Sequence, residues 1–456
     1  MQYSLWRKVA LLALPVALQC LLQALLGMAD VVMVTGLGEQ AVAAVGLAAK
    51  LHFLLLVLMM GFASAGSILI AQYFGADQQE ACQRTLVIGL YWGALTTLPS
   101  MVLFTLGARW LGWINPDEEV VRLAAVYLLV TAPALLITQF IALYEAALRA
   151  TGNAVMPLAV GAGAVAANVF LNYIFIFGHF GFPAMGVEGA AWGTLISRLL
   201  QLGAIVLWLK GTGHLFSLGK SHWRFTRDRV ARRHFLRFSF PVVLNHTIWA
   251  VGNSTYHVAT GFAGTQALAV MGVMVPVESA FFALFVGLAS AAAVLVGHAL
   301  GADDRDRALQ LFRLFDRLAK ILVVLFAVVL WLSRSWILSA FDGLDAQTTE
   351  LLMSTLTIFC LGVWVKILNM LRILGILRAG GDTRFVLATD TVVMWIFGVP
   401  IYLLAVWLGA PFLVLYVLMY VEDGLKWLPV KYRIRGGYWL KNLTRETGPA
   451  PQPVSV

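Results

Sequence analysis

The sequence predicts an all-α polytopic membrane protein of about twelve transmembrane helices, arranged as two parallel six-helix repeats. Three observations predict it. Hydrophobic side chains make up 61% of the 456 residues and charged ones only 12%, with a mean hydropathy of +0.84; a soluble chain would carry about a quarter charged residues. About twelve apolar runs are long enough to cross a hydrocarbon core of roughly 30 Å, which takes about 20 residues. The first half of the chain also matches the second at one fixed offset, the one that lays Pro15 on Pro241.

The first run, 9–35, follows the basic start MQYSLWRKVA. No small-residue cleavage pattern ends it, so it reads as a span and not as a removed signal peptide. Runs at 43–73, 84–113, 120–145, 157–178 and 186–210 complete the first set. The second set lies at 235–262, 267–299, 310–340, 350–377, 385–408 and 411–432. Lipid offers no hydrogen bonds, so each run is expected to be helical. Cys20, Cys82 and Cys360 sit in or beside these runs with no CxxC pair and no zinc spacing, which predicts neither a disulfide framework nor a metal centre. The expected organisation is an amino-terminal six-helix lobe at 1–212, a cytoplasmic linker at 213–234, a carboxy-terminal lobe at 235–432 and a cytoplasmic tail at 433–456.

Basic residues accumulate in cytoplasmic loops, and here they alternate along the chain. One set of connections, with both termini, holds Arg7, Lys8, Arg84, Arg149, Arg378, Lys426 and the run from Lys220 to Arg237; the other holds only Lys50, Arg109, Arg122 and Arg334. Both termini are therefore expected in the cytoplasm. The net charge of +9 fits a basic inner face beside anionic lipid, with no nucleic-acid partner.

The repeat pairs Pro15 with Pro241, Gly38 with Gly264, and "GFASAGSILIAQYFGAD" at 61–77 with "GLASAAAVLVGHALGAD" at 287–303. Further along the offset lengthens slightly, and "ALRATGN" at 147–153 falls on "ILRAGGD" at 376–382. An even number of spans per lobe makes the repeat parallel, related by an axis along the membrane normal. Lobes of this kind rock about a mid-membrane cleft, the geometry of alternating access. One chain already contains both lobes, so a functional monomer is expected.

Within "LLGMADVVMVTGLG" at 25–38, Asp30 is a carboxylate in an apolar run. Such a residue costs about 2.5–3.5 kcal/mol on insertion scales and marks a candidate ion or substrate path. Asn168 and Asn172 stand four apart on one face of the fifth helix and could converge on it. Together they form a candidate cation-coupling set that exchanges a proton or binds sodium through oxygen ligands. The alternative is a carboxylate near the outer interface that caps local backbone. In the second lobe Glu278, Lys366 and Asp390 are further charged candidates, beside Arg372. Opposite charges inside a membrane pair with one another, so a Glu278–Lys366 pair is the structural expectation, and release of Glu278 by protonation is the functional one. Asp382, in the "GGDT" turn, is expected to cap a helix.

Several stretches carry a family resemblance: "PVALQCLLQALLGMADVVMVTGLG", "AQYFGAD", "ALRATGN", "NVFLNYIFIFGHFGFPAMGVEGAAWGT" at 168–194, and "GILRAGGDT" at 375–383. On these the chain resembles the multidrug and toxic compound extrusion (MATE) transporters over nearly its whole length, NorM-like in its first half. The resemblance implies MATE-type lobes in a bacterial inner membrane. It also implies an antiporter, not an enzyme, in which inward H+ or Na+ drives export of cationic, often aromatic, compounds without a cofactor. It places an essential acid at Asp30. One branch has Asp at the position of Asn172, and the NorM branch has an acid in helix 7, whereas "PVVLNHTIWAVGNSTYHVATG" offers Asn245, His246, Trp249 and His257. In the repeat, Tyr256 occupies the place of Asp30.

A delocalised cationic substrate gains from charge pairing and cation–π contact. Tyr127, Tyr144, Trp249, Tyr256 and Trp395 are the candidate lining residues, with Met28 and Met274 able to adapt to varied shapes. Two other functional classes remain in view, and one competing twelve-helix family is disfavoured for want of its basic cluster. A major facilitator transporter would carry a basic cluster where "YFGADQQEACQR" stands, and a lipid-linked precursor flippase would need a basic cleft and additional spans. An intramembrane enzyme would need a motif such as HExxH or GxSxG; neither occurs.

Overall fold

Among residues 2–339 and 345–445, which the computed structural model describes, every regular element is a helix. In chain order the long ones are α1 (Gln2–Thr35), α2 (Glu39–Gly75), α3 (Gln79–Thr105), α4 (Glu118–Ala150), α5 (Val155–Phe177) and α6 (Val187–Gly211). After a short 3-10 helix, Lys220–Arg227, come α7 (Arg229–Gly261), α8 (Thr265–Gly301), α9 (Arg305–Ser339), α10 (Ala346–Met370, continuing as a π-helix over Leu371–Leu377), α11 (Thr383–Trp407) and α12 (Phe412–Arg435). Helix α11 passes through a π segment at Val393–Gly398.

Ten helices among the described residues are long and apolar enough to cross a membrane: α1–α6 and α8–α11. The two exceptions are polar for visible reasons. Helix α7 opens on "RVARRHFLRF", and α12 carries Glu422, Asp423 and Lys426 at mid-length. The expected run 84–113 is divided, because α3 ends at Thr105 and a separate short helix, Gly107–Trp110, follows.

The chain packs as two compact units. One is Leu18–Val243; the other joins Met1–Ala17 to Leu244–Val456. The divisions fall inside α1 and α7. In the first unit α2 packs against α3 and α4, and α4 against α6, through small side chains such as Ala41, Ala44, Ala48, Ala124 and Ala132, which let helix backbones approach closely in lipid. A Cβ on Gly61 of α2 would lie 2.7 Å from Val243 Cα on α7. In the other unit a Cβ on Gly287 of α8 would collide with the Ala13 carbonyl and stand 3.0 Å from Ala17 Cβ on α1. Glycine therefore seats a helix crossing at both positions. The repeat that lays Pro15 on Pro241 also lays Gly61 on Gly287 and Ala17 on Val243, so both crossings use matching residues.

The "GAD" turns follow the same logic. Asp77 and Asp303 adopt left-handed φ values of 59° and 60°. The next N–H reaches back to Tyr73 O in one turn and Ala299 O in the other, both at 2.9 Å. That is the bonding of a helix-terminating left-handed turn, in which Asp is tolerated.

Asp382 corrects an expectation. It precedes α11, but its side chain makes no cap hydrogen bond. It instead accepts from Arg433 Nη2 at 2.9 Å and Lys441 Nζ at 3.1 Å. The segment after α12 is thereby fastened down, with Trp439 fully buried and its indole N–H donating to Ile434 O at 3.1 Å.

Candidate functional site

In the unit Leu18–Val243, α1 presents Asp30, α5 presents Asn168 and Asn172, and α6 presents Thr194 and Ser197. Asn172 Nδ2 donates to Asp30 Oδ1 at 2.7 Å and to Asn168 Oδ1 at 3.1 Å. Asn168 Nδ2 in turn reaches Ser197 Oγ at 3.4 Å and Thr194 Oγ1 at 3.5 Å. Both asparagines are buried and Asp30 is half-buried. The three residues expected to converge do so. Gly193 makes room for them, since a Cβ there would collide with Asn172 Oδ1. That oxygen is buried and has no hydrogen-bond partner, so an acceptor is left over on the residue that grips the carboxylate.

A second polar layer lies in the same unit, and sequence reasoning missed it. Glu145, 5% exposed, accepts from Gln19 Nε2 at 2.7 Å, Gln201 Nε2 at 3.0 Å and Arg149 Nη1 at 3.4 Å. Arg198 donates to Gln201 Oε1 at 2.8 Å and feels the charges of both Glu145 and Asp30. On α6 the residues Thr194, Ser197, Arg198 and Gln201 follow helical i, i+3, i+4, i+7 spacing. One helix face therefore serves both layers.

The other unit has its own buried charges. Asp390 receives Asn245 Nδ2 at 2.7 Å and Lys426 Nζ at 2.8 Å. Lys426 also bonds Glu422, whose second oxygen accepts from Tyr256 OH at 3.1 Å. Arg378 donates to Asn245 and lies 3.4 Å from His246 Nε2. Lys426 and Arg378, expected on the cytoplasmic loops, are thus buried partners in a polar core. Their position near the end of an apolar run is what misled, because charge alone does not tell a loop from a paired interior site.

Glu278 and Lys366 do not form the expected ion pair. Glu278 accepts from the Tyr416 hydroxyl, while Lys366 Nζ lies over the rings of Phe282 and Tyr420, at 5.3 and 5.8 Å. Aromatic faces satisfy that cation in place of a carboxylate. Arg372 pairs with Asp316 at 2.9 Å and stacks on Trp427.

The candidate aromatic residues divide. Tyr127 is buried in the core of the unit Leu18–Val243, edge-on to His52, and Tyr144 is half-buried. Tyr256 is buried, edge-on to Tyr402 at 5.0 Å. Trp249 and Trp395 are exposed, at 43% and 36%. Met274 is fully buried, packed in place and without the freedom expected of an adaptable surface; the side chain of Met28 lies outside those described. His257 borders a groove of about 380 Å³ with Thr260, Met271 and Pro276. Among the described residues no group of three or more His, Cys, Asp or Glu is arranged to hold a metal ion.

The MatE family model matches residues 15–174 and again 241–404. The chain is 27% identical over 425 residues to the probable multidrug resistance protein YoeA of Bacillus subtilis, covering 90% of each. It is 29% identical over 402 residues to the probable multidrug resistance protein NorM of Bradyrhizobium diazoefficiens, covering 86% of this chain and 84% of that one. Among solved structures, a MATE protein crystallised in complex with MaL6 superposes with a TM-score of 0.83 at 19% identity, over 94% of this chain and 96% of that one.

Proposed function

The chain belongs to the MatE family, and from that premise we propose that this multi-pass membrane protein is a secondary active antiporter. It exports cationic or aromatic organic compounds in exchange for inward H+ or Na+ by alternating access. It is a transporter and not an enzyme, and it needs no cofactor beyond the coupling ion. Relatives named for multidrug resistance support the substrate class.

The observation that carries the reading is the bond from Asn172 Nδ2 to Asp30 Oδ1 at 2.7 Å. Among the described residues the carboxylate is held by a neutral amide and bonded by no basic side chain, although Arg198 lies within reach of its charge, so its charge stays available for a proton or a sodium ion. The unpartnered Asn172 Oδ1 would gain a ligand or donor when either arrives; a buried acceptor left bare costs about 1–3 kcal/mol. Loss of the bound ion leaves a negative charge that favours a cationic substrate, and return of the ion expels it.

The proposed frame has twelve spans. Helices α7 and α12 join the ten apolar ones, because Glu422 and Lys426 of α12 are paired with each other and Lys426 also with Asp390, which lowers their cost in lipid. The two segments matched by the family model begin at 15 and 241, on the two prolines that the internal repeat superposes. That supports two parallel six-helix lobes, 1–212 and 235–432, joined by the linker 213–234 and followed by the tail 433–456. Both termini face the cytoplasm of a bacterial inner membrane, and the monomer is the working unit. Membrane lipid and the small cationic substrate are the partners.

The test is export of a fluorescent organic cation from cells making wild type or Asp30→Asn. Export lost in a variant that still inserts at wild-type level is the expected result; unchanged export by Asp30→Asn overturns the reading.

A further inference from the structure

We propose that Lys426 is a tethered cation: its ammonium fills, between Asp390 and Glu422, the place a free monovalent cation would otherwise take. The place between Asp390 and Glu422 therefore exchanges no ion. For its meaning in transport this inference rests on Asp30 as the exchanging residue; the geometry stands without it.

The ammonium is enclosed, and its side chain is 6% exposed against 8% for each carboxylate. Each carboxylate turns one oxygen to Lys426 and the other to a neutral donor, the Asn245 amide at 2.7 Å for Asp390 and the Tyr256 hydroxyl at 3.1 Å for Glu422. Arg378 stands behind Asn245 as the next positive charge, and half-buried Asp423 is the next negative one. Both carboxylates are thus fully partnered while Lys426 is in place, and both are aimed at one point.

Three helices are shaped around that point. The Lys426–Glu422 contact lies within α12, but Asp390 comes from α11, which soon afterwards changes to π winding at Val393; such π segments cluster at functional positions. Gly398 ends the π segment, and a Cβ there would collide with Tyr256 Oη and lie 3.5 Å from Glu422 Oε2. Glycine at 398 is what lets α7 deliver a hydroxyl to the carboxylate. Tyr256 itself stands at the repeat position of Asp30, so this half of the chain has a phenol where the other has its carboxylate. A buried ion pair is weak evidence for stability, since well-packed apolar residues of similar volume do as well or better. A role for the charge accounts for these features together.

The test uses purified full-length protein in detergent, with Asp30→Asn as background to silence the first unit. Melting temperature is measured in choline chloride and in sodium, potassium or ammonium chloride at equal ionic strength. Asp30→Asn alone is expected to melt at the same temperature in all four. Adding Lys426→Ala is expected to produce a saturable rise of a few degrees with sodium, potassium or ammonium, as for any ligand that binds only the folded state. Adding Glu422→Gln as well removes the unbalanced charge and is expected to abolish the response. The proposal is overturned if folded Asp30→Asn/Lys426→Ala ignores all three cations. It is overturned equally if that variant fails to fold in every salt while the triple variant folds, or if Asp30→Asn itself shows a sodium response that Glu422→Gln removes. Normal transport by Asp30→Asn would refute the Asp30 reading and leave these results unaffected.

Discussion

Asn172 holds Asp30 and Asn168 with a single amide nitrogen, at 2.7 and 3.1 Å. One side chain thus ties the carboxylate of α1 to the buried face of α5 and, through Asn168, to Thr194 and Ser197 of α6. Any change that rotates the Asn172 amide alters the carboxylate directly, without touching it.

Gly193→Ala is the smallest such change. Its methyl group would collide with Asn172 Oδ1 and turn the amide away from Asp30. A hydrogen bond to a charged group contributes about 1.5–3 kcal/mol, so gradient-driven export is expected to fall roughly tenfold to a hundredfold, with insertion unchanged. Efflux rate and membrane protein level, measured side by side, check this.

Gly61→Val and Gly287→Val are expected to act on assembly. Both positions lie against another helix, Gly61 on Val243 and Gly287 on Ala13 and Ala17. Overpacking of this kind costs about 1–3 kcal/mol, and here the obstacle is backbone, which has the least freedom to move aside. Thermal unfolding followed by size-exclusion chromatography in detergent should show a lower midpoint for each variant, while Gly163→Val, where a Cβ meets nothing within 4 Å, stays near wild type.

Removing the segment after Arg435 is expected to destabilise the end of the unit Met1–Ala17 with Leu244–Val456 that carries Asp382. Trp439 is fully buried, and Asp382 loses the Lys441 partner. Trp439→Ala alone should cost about 3–5 kcal/mol, as for a large aromatic in a core. Hydrogen exchange at Gly380–Thr383 should rise in both variants, and unchanged protection there would remove the tail from the account.

The all-helical class, ten of the expected apolar spans and the paired glycine and "GAD" positions were legible because each rests on local spacing or on a repeat within the chain; Asp30 with Asn168 and Asn172 was legible because polar side chains stand out in apolar runs and two of them share one helix face. The rest depends on long-range partners. Glu145 meets Gln19 from a distant helix, and Lys426 meets Asp390 across helices; no periodicity marks such pairs, and a lysine near the end of an apolar run looks like a loop charge. Glu278 and Lys366 misled in the opposite way. Opposite signs invited a pair, but Glu278 takes a tyrosine hydroxyl and Lys366 two aromatic faces.

In the proposed antiport Asp30 carries the coupling ion. Ethidium movement in vesicles reconstituted with wild type or Asp30→Asn, under an imposed proton gradient or an imposed sodium gradient, tests it most directly. Transport driven by one of the two gradients in wild type and by neither in Asp30→Asn is the predicted result, and the effective gradient names the ion. Gradient-driven transport of equal rate in Asp30→Asn would contradict the claim.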